Sequence, residues 1–169
     1  MRIFGLAGWS GSGKTTLITA LIPELLARGV TVSTVKHAHH GFDIDRPGKD
    51  SWRHREAGAC EVMVASERRW ALMHELRGAP EPPLDRLVAR MSPVDLILVE
   101  GFKHHPHPKL EICRAALGKP ALYPDDPFVV AVASDERPEG LPLPWLPLSD
   151  PPAVARFIIE HQRLGRWPS

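Results

Sequence analysis

Residues 5–17, GLAGWSGSGKTTL, contain the residue types that bind phosphate. Four residues separate Gly8 from Gly13, Gly11 lies between them, and Lys14 and Thr15 follow directly. Glycines let backbone N–H groups converge on phosphate oxygens, the lysine adds a positive charge, and the threonine hydroxyl can ligate Mg²⁺. The spacing predicts a P-loop (Walker A motif). The alternative interpretation is a glycine- and serine-rich turn.

A P-loop also needs a carboxylate near the magnesium ion, normally at the carboxyl end of a neighbouring buried strand. The run DLILVEG at 95–101 provides Glu100 at that end. Asp95 lies at the opposite end, about 16 Å away at 3.3 Å per residue. We therefore predict Lys14 and Glu100 as catalytic residues, and Thr15 and Glu100 as magnesium ligands.

A long polar segment, KHAHHGFDIDRPGKD at 36–50, has the length of a functional loop. Its acids, Asp43 and Asp45, are candidates for the same metal ion, and Asp45 is the one we include in the predicted site; ordinary turn carboxylates are the alternative. The histidines form two clusters: His37, His39 and His40, and His104, His105 and His107. Metal ligation is one interpretation of these clusters. Anion contact or pH-sensitive hydrogen bonding is the other, because no cysteine or tight carboxylate group completes a tetrahedral set.

The identity of the base is the last element of the predicted site. In several P-loop GTPases an Asp after a late strand accepts hydrogen bonds from guanine, and Asp135 follows the predicted strand at 128–133. No Asn-Lys pair precedes it, so guanine over adenine is an expectation that rests on Asp135 alone.

Composition limits the class of protein. The 169 residues carry 21 Lys and Arg against 20 Asp and Glu, so no overall field drives nucleic-acid binding. Two cysteines in no metal-type spacing indicate a reduced compartment. No apolar run reaches the length of a membrane span. We expect one cytoplasmic domain over 1–169, with no nucleic acid and no membrane as partner.

The pattern of elements around the motif predicts an α/β fold. An apolar strand at 2–7 precedes the loop, and leucines and isoleucines at helical spacing follow it up to Gly29. Further strands are predicted at 30–36, 61–66, 70–76, 94–99, 110–113 and 128–133, and helices from 50 toward 58, at 83–91 and at 152–163. The sequence therefore predicts a P-loop NTPase-like, predominantly parallel sheet flanked by helices, with an added antiparallel strand pair at 61–76.

Four stretches together, GWSGSGKTTLI, VKHAHHGFDIDRPGKDSWRHREAGA, VASERRWALM and DLILVEGFKH, resemble the molybdopterin-guanine dinucleotide biosynthesis protein B family, MobB. The resemblance covers nearly the whole chain. It assigns phosphate binding to Gly8, Trp9, Ser10, Gly11, Ser12, Gly13, Lys14, Thr15 and Thr16. It also makes the loop 37–50, with His37, His39 and Asp45, part of the nucleotide or cofactor site.

The resemblance implies a GTP- and Mg²⁺-binding adapter, usually dimeric, with weak GTP hydrolysis. Such a protein works beside the molybdenum cofactor guanylyltransferase, which joins GMP to molybdopterin, and whether molybdopterin itself binds is left open. Two other functions use the same motifs. A small-molecule kinase would use the loop to transfer phosphate, and a metallochaperone-type GTPase would load a metal on one histidine cluster.

Overall fold

The computed structural model describes residues 1–38 and 41–164. Contacts divide the chain into two compact units. The first contains Met1–His37 and the chain from Ser92 onward, and the second contains Ala38–Met91. The single nucleotide-binding domain over 1–169 stays a prediction. None of the helices in the described part of the chain has the length and apolar character that crossing a bilayer requires.

The described residues form eight strands and four α-helices. The strands are β1 (Arg2–Ala7), β2 (Val32–Lys36), β3 (Glu61–Ala65), β4 (Trp70–His74), β5 (Leu96–Glu100), β6 (Lys109–Cys113), β7 (Val129–Ser134) and β8 (Trp145–Pro147). The helices are α1 (Lys14–Leu26), α2 (Asp50–Glu56), α3 (Leu84–Val88) and α4 (Pro151–Gln162), with a short 3₁₀ helix at Ala115–Leu117. The predicted elements are present, and β8 and the 3₁₀ helix are additional.

The first unit is built on a six-stranded sheet in the order β2-β5-β1-β6-β7-β8. Every neighbouring pair of strands is parallel, which confirms the predicted sheet. Because parallel strands end at one edge, the loops after β1, β2, β5, β6 and β7 emerge together. In open α/β sheets this edge is where ligands bind.

One face of this sheet packs against α1 and α4. The side chains of Phe4, Leu6, Leu110 and Ile112 point into the core that these helices cover. Helix α4 begins at Pro151, and the carboxylate of Asp150 accepts a hydrogen bond from the Ala153 N–H at 3.0 Å, a standard N-terminal cap.

The opposite face carries buried charges. Side chains alternate along a strand, so Lys109 and Glu111 point away from the helices that Leu110 and Ile112 contact. Glu111 accepts hydrogen bonds from the Leu122 N–H at 2.7 Å and the Tyr123 N–H at 2.9 Å, and burial raises the pKa of its carboxyl. The segments after β5 and β6 therefore contact this face through polar groups.

In the second unit β3 and β4 form an antiparallel pair, as predicted, but the pair makes a sheet of its own. A turn joins the strands and is closed by the Ser66 N–H, which donates to the carbonyl of Arg69 at 2.9 Å. Within the same unit Arg55 makes ion pairs with Asp43 at 2.9 Å and with Glu75 at 3.1 Å. A single guanidinium thus connects the polar loop to the strand pair.

Candidate functional site

The glycine loop, residues 8–13, connects the end of β1 to the start of α1. Gly8, Gly11 and Gly13 have positive φ values of 145°, 79° and 99°, a region that side chains with Cβ atoms rarely enter. A Cβ atom on Gly8 would lie 2.6 Å from the carbonyl oxygen of Ile112. Gly13 caps α1, and its carbonyl accepts from the Leu17 N–H at 2.9 Å. The loop conformation therefore depends on glycine at these positions, and it leads into a helix N-terminus, which favours an anion.

Lys14 is folded back onto this loop. Its Nζ donates to the carbonyl oxygens of Gly8 and Trp9, both at 2.9 Å. Burial lowers the pKa of Lys14, Glu100 opposes that shift, and the positive charges of Lys103 and Lys36 add to it. The ammonium groups of Lys14, Lys36 and Lys103 thus lie in one region. A bound phosphate group would neutralise the charge of Lys14, which the carbonyl groups of the glycine loop now stabilise.

Thr15 and Glu100, the predicted magnesium pair, are in contact. The Thr15 hydroxyl donates to Glu100, whose two carboxylate oxygens both lie 3.1 Å away. Glu100 is the last residue of β5, and Lys36, paired with it in register, places its Nζ 3.7 Å from Oε1. A hydroxyl and a carboxylate are hard oxygen ligands of the kind Mg²⁺ prefers. The donor set fits the ion, and the assignment of the metal stays a prediction.

Arg114 is a site residue that the sequence analysis missed. It follows β6, and its Nε donates to the carbonyl of Ser12 in the glycine loop at 3.0 Å. Its Nη1 donates to the exposed carboxylate of Asp135 at 3.2 Å. The guanidinium therefore joins the loop to the residue predicted to recognise the base. The feature of the sequence that could have identified Arg114 was its position, one residue beyond a strand that ends at the same edge of the sheet.

The predicted residues of the polar loop have local partners. The Asp45 carboxylate accepts from the Ser51 hydroxyl and the Arg46 N–H, and lies 3.5 Å from Arg55 Nε. In the neighbouring Asp43, hydrogen bonds from the Asp45 N–H and then from Arg55 lower the carboxyl pKa. These contacts hold both acids within the second unit. The magnesium and nucleotide roles of Asp45 remain predictions.

His37 lies beside Glu100. Its N–H donates to the Glu100 carbonyl at 2.8 Å, and its ring stacks on Phe102 with centroids 4.6 Å apart. A Cβ atom on Gly101 would lie 2.6 Å from the Cβ of His37, so the turn after β5 needs glycine there. His39, the other predicted histidine of this cluster, and His40 lie outside the described residues.

The second histidine cluster is largely engaged in packing. The Nδ1 atoms of His105 and His107 lie 3.0 Å apart, and His107 is buried. Burial, with help from Lys109 and His105, lowers the pKa of His107 to about 4. In the described ranges no three His, Cys, Asp or Glu side chains are arranged to hold a metal ion. The interpretation of these histidines as metal ligands gains no support from this geometry.

Comparisons with known proteins lead to one family. Residues 3–135 match the family model MobB, described as "Molybdopterin guanine dinucleotide synthesis protein B". The chain is 46% identical over 161 residues to the molybdopterin-guanine dinucleotide biosynthesis adapter protein of Escherichia coli (strain K12), covering 94% of this chain and 91% of that protein. It is 45% identical over 159 residues to the adapter protein of the same name from Haemophilus influenzae, covering 92% and 86%.

Solved structures give the same result. A crystal structure of molybdopterin-guanine biosynthesis protein B superimposes with a TM-score of 0.76 at 30% identity, covering 95% of this chain and 99% of that one. Bacillus subtilis MobB superimposes with a TM-score of 0.72 at 25% identity, covering 95% and 97%. Both the sequence and the fold therefore lead to one family.

Proposed function

This chain belongs to the MobB family, and from that membership and the geometry of the glycine loop we propose that it is a GTP-binding adapter protein. In this proposal it assists the conversion of molybdopterin to molybdopterin guanine dinucleotide in the cytoplasm. The observation that carries the proposal is the Thr15–Glu100 contact beside Lys14 at the start of α1. Together they provide the ligands that a magnesium-bound triphosphate requires.

In the bound state Lys14 exchanges the carbonyls of Gly8 and Trp9 for phosphate oxygens. The Thr15 hydroxyl and the Glu100 carboxylate take the magnesium ion, and the N–H groups of the glycine loop contact the phosphates. Asp135, held by Arg114, accepts from the N–H groups of guanine. We expect GTP hydrolysis to be weak, because fast GTPases depend on an arginine finger that raises their turnover by a factor of about 10³–10⁵. Arg114, the arginine beside the glycine loop, instead contacts Ser12 and Asp135.

The partner in this proposal is the molybdenum cofactor guanylyltransferase. The adapter either delivers GTP to this enzyme or holds GTP beside it. A homodimer is also proposed, formed through the strand pair of the second unit. The support for it is a set of exposed apolar side chains on one face of β3 and β4: Met63, Trp70 and Leu72. Exposed apolar patches on strands mark interaction sites. Equilibrium sedimentation of the wild type and of Trp70→Glu tests the dimer, which should dissociate in the variant.

The test of nucleotide binding is calorimetric titration of Mg·GTP and Mg·ATP into the purified chain. We expect GTP to bind more tightly, and Lys14→Ala to lose binding. Arg156→Ala is the matched control, because it removes one positive charge from an exposed position on α4 in the same unit. Undiminished affinity in Lys14→Ala would refute the proposed phosphate site. Equal affinity for ATP would refute guanine recognition by Asp135.

A reconstituted assay tests the adapter role. Purified guanylyltransferase, molybdopterin and GTP are combined with and without this chain, and formation of molybdopterin guanine dinucleotide is measured. We expect the wild type to raise product formation at limiting GTP, whereas Lys14→Ala should not. Equal stimulation by both proteins would contradict a role for bound nucleotide.

A further inference from the structure

A cavity adjoins the glycine loop in the first unit. Its volume is about 430 Å³, within the range of small-molecule sites. It is lined by Trp9 of the glycine loop, by Lys103 and His104 after β5, and by the segment 120–128 before β7. Neither the phosphate contacts nor the magnesium pair uses this space.

The aromatic wall of the cavity is fixed in place. The indole N–H of Trp9 donates to the carbonyl of Pro120 at 2.7 Å, which ties the glycine loop to the opposite wall. Lys103 Nζ lies 4.9 Å from the centroid of the same ring, and Lys119 Nζ lies 5.8 Å from it. Phe128 provides a second aromatic surface and is 41% exposed. The cavity thus has two aromatic surfaces, with two ammonium groups beside one of them.

Buried polar contacts hold the remaining walls. Lys109 Nζ donates to the carbonyls of Lys103 and His105 and to the carboxylate of Asp126, at 2.6, 3.1 and 2.9 Å. Glu111 binds the backbone N–H groups at 122 and 123. A fully buried lysine needs such partners, because an unpaired buried charge is costly. The cavity is therefore formed in advance of any ligand.

These groups define the chemistry of a ligand. A flat aromatic ring can stack on the exposed ring of Phe128, and an anionic substituent is attracted by Lys103 and Lys119, whose ammonium groups lie over the ring of Trp9. Asp125 lines the cavity, and within the described part of the chain its carboxylate has no hydrogen-bond or ion-pair partner. A carboxylate accepts hydrogen bonds from the N–H groups of a heterocycle.

We propose that this cavity binds a planar, N–H-bearing heterocycle with an anionic substituent, specifically an anionic pterin. The choice of a pterin over other heterocycles rests on the proposed function, which involves molybdopterin; the cavity and its charges do not depend on it. Trp9 would connect the two ligands, since its indole lines the cavity and its carbonyl accepts from Lys14. Lys103 would act on both ligands, because it lines the cavity and its positive charge also influences Lys14.

The test uses 6-carboxypterin as the probe, titrated into the full chain and followed by the fluorescence polarisation of the pterin. Neutral pterin and inorganic phosphate serve as comparison ligands. We expect 6-carboxypterin to bind about fivefold more tightly than neutral pterin, as one exposed ion pair contributes at most about that factor. Equal affinity for the two pterins, or complete displacement by phosphate at the same concentration, would overturn the proposed ligand class.

Two variants locate the probe. Phe128→Ala and Asp125→Ala should each weaken the binding of 6-carboxypterin at least about fivefold and leave the affinity for GTP unchanged. Glu139→Ala, which removes an exposed acid of the same unit, should change neither affinity. Because Phe128 and Asp125 are exposed, truncation should not prevent folding, and the thermal melting curve checks this. Unchanged pterin affinity in both variants would overturn the proposal.

These measurements distinguish a wrong assignment of the nucleotide site from a wrong assignment of the pterin site. Lys14→Ala should lose GTP and keep 6-carboxypterin. A wild-type chain that binds GTP but shows no saturable binding of 6-carboxypterin refutes the cavity proposal and leaves the proposed function intact. A chain that binds 6-carboxypterin through Phe128 and Asp125 but does not bind GTP supports the cavity and refutes the GTP site.

Discussion

Acidification should destabilise this protein through one histidine. His107 is 3% exposed, and its Nε2 has no hydrogen-bond partner in the described structure. It packs against β1 so closely that a Cβ atom on Gly5 would lie 2.4 Å from Nε2. Burial is the main cause that lowers its pKa from 6.5 to about 4, the charges of Lys109 and His105 lower it further, and Asp126 opposes them.

The sign and size of the effect follow from proton linkage. Above pH 6.5 His107 is neutral in both the folded and the unfolded chain, so it contributes nothing. As the pH falls, the unfolded chain takes up the proton first, and the free energy of unfolding decreases until the pH reaches about 4. A shift of about 2.5 pH units corresponds to about 3 kcal/mol in total, of which about 2.5 kcal/mol is lost by pH 4.5.

The assay compares urea unfolding at pH 7.0 and pH 4.5 for the wild type, His107→Leu and His104→Leu. His104 is the matched control because it is an exposed histidine of the same cluster. The decrease in unfolding free energy between the two pH values should be about 2.5 kcal/mol smaller in His107→Leu than in the wild type. Titrating groups that do not interact with His107 are common to the proteins and cancel in this difference.

A proton NMR titration of the imidazole resonances measures the pKa directly, and the signal missing from His107→Leu assigns it. We expect the His107 resonance to titrate far below the normal range. A pKa near 6.5, or an equal pH-dependent loss of stability in the wild type and His107→Leu, would refute the argument from burial.

Three further substitutions test the framework around the site. Glu111→Ala should lower the free energy of unfolding by about 1–3 kcal/mol, because two partly buried N–H groups lose their acceptor, whereas Glu111→Gln keeps one acceptor and should cost less. Gly8→Ala should weaken GTP binding at least about tenfold, since its Cβ meets the Ile112 carbonyl at 2.6 Å and its φ is positive. Arg114→Ala should reduce the preference for GTP over ATP, because the guanidinium positions Asp135. Urea unfolding measures the first effect and calorimetric titration the other two.

Each of these has a control. Gly140→Ala also places a Cβ at a positive φ, 66°, but there the Cβ meets nothing within 4 Å, so equal loss of affinity in that variant would contradict the steric argument for Gly8. Glu111→Gln and Glu111→Ala of equal stability would contradict the role of the carboxylate as an acceptor. Arg114→Lys keeps the charge without the forked geometry. A GTP preference in Arg114→Ala equal to that of the wild type would remove Arg114 from base recognition.

The local parts of the site could be predicted from sequence, because they depend on near neighbours in the chain. Strand β1 has the bounds predicted for it, and the glycines, Lys14 and Thr15 lie between that strand and α1. Glu100 was identified because the apolar run before it must be buried, which places its last residue at the edge where parallel strands end. The family followed from the same motifs and is confirmed.

The contacts between residues that follow different strands depend on the strand order, which no local sequence pattern encodes. Arg114 contacts Ser12 across 102 positions of sequence, and only the placement of β6 beside β1 brings them together. The sequence predicted a strand at 110–113, but the burial of Lys109 and Glu111 depends on the distant segments after β5 and β6. Strand β8 was missed because it is three residues long and lies in a proline-rich segment. Residue types and spacing thus predict the phosphate chemistry, whereas the packing of distant segments determines which charges are buried and where the cavity beside Trp9 forms.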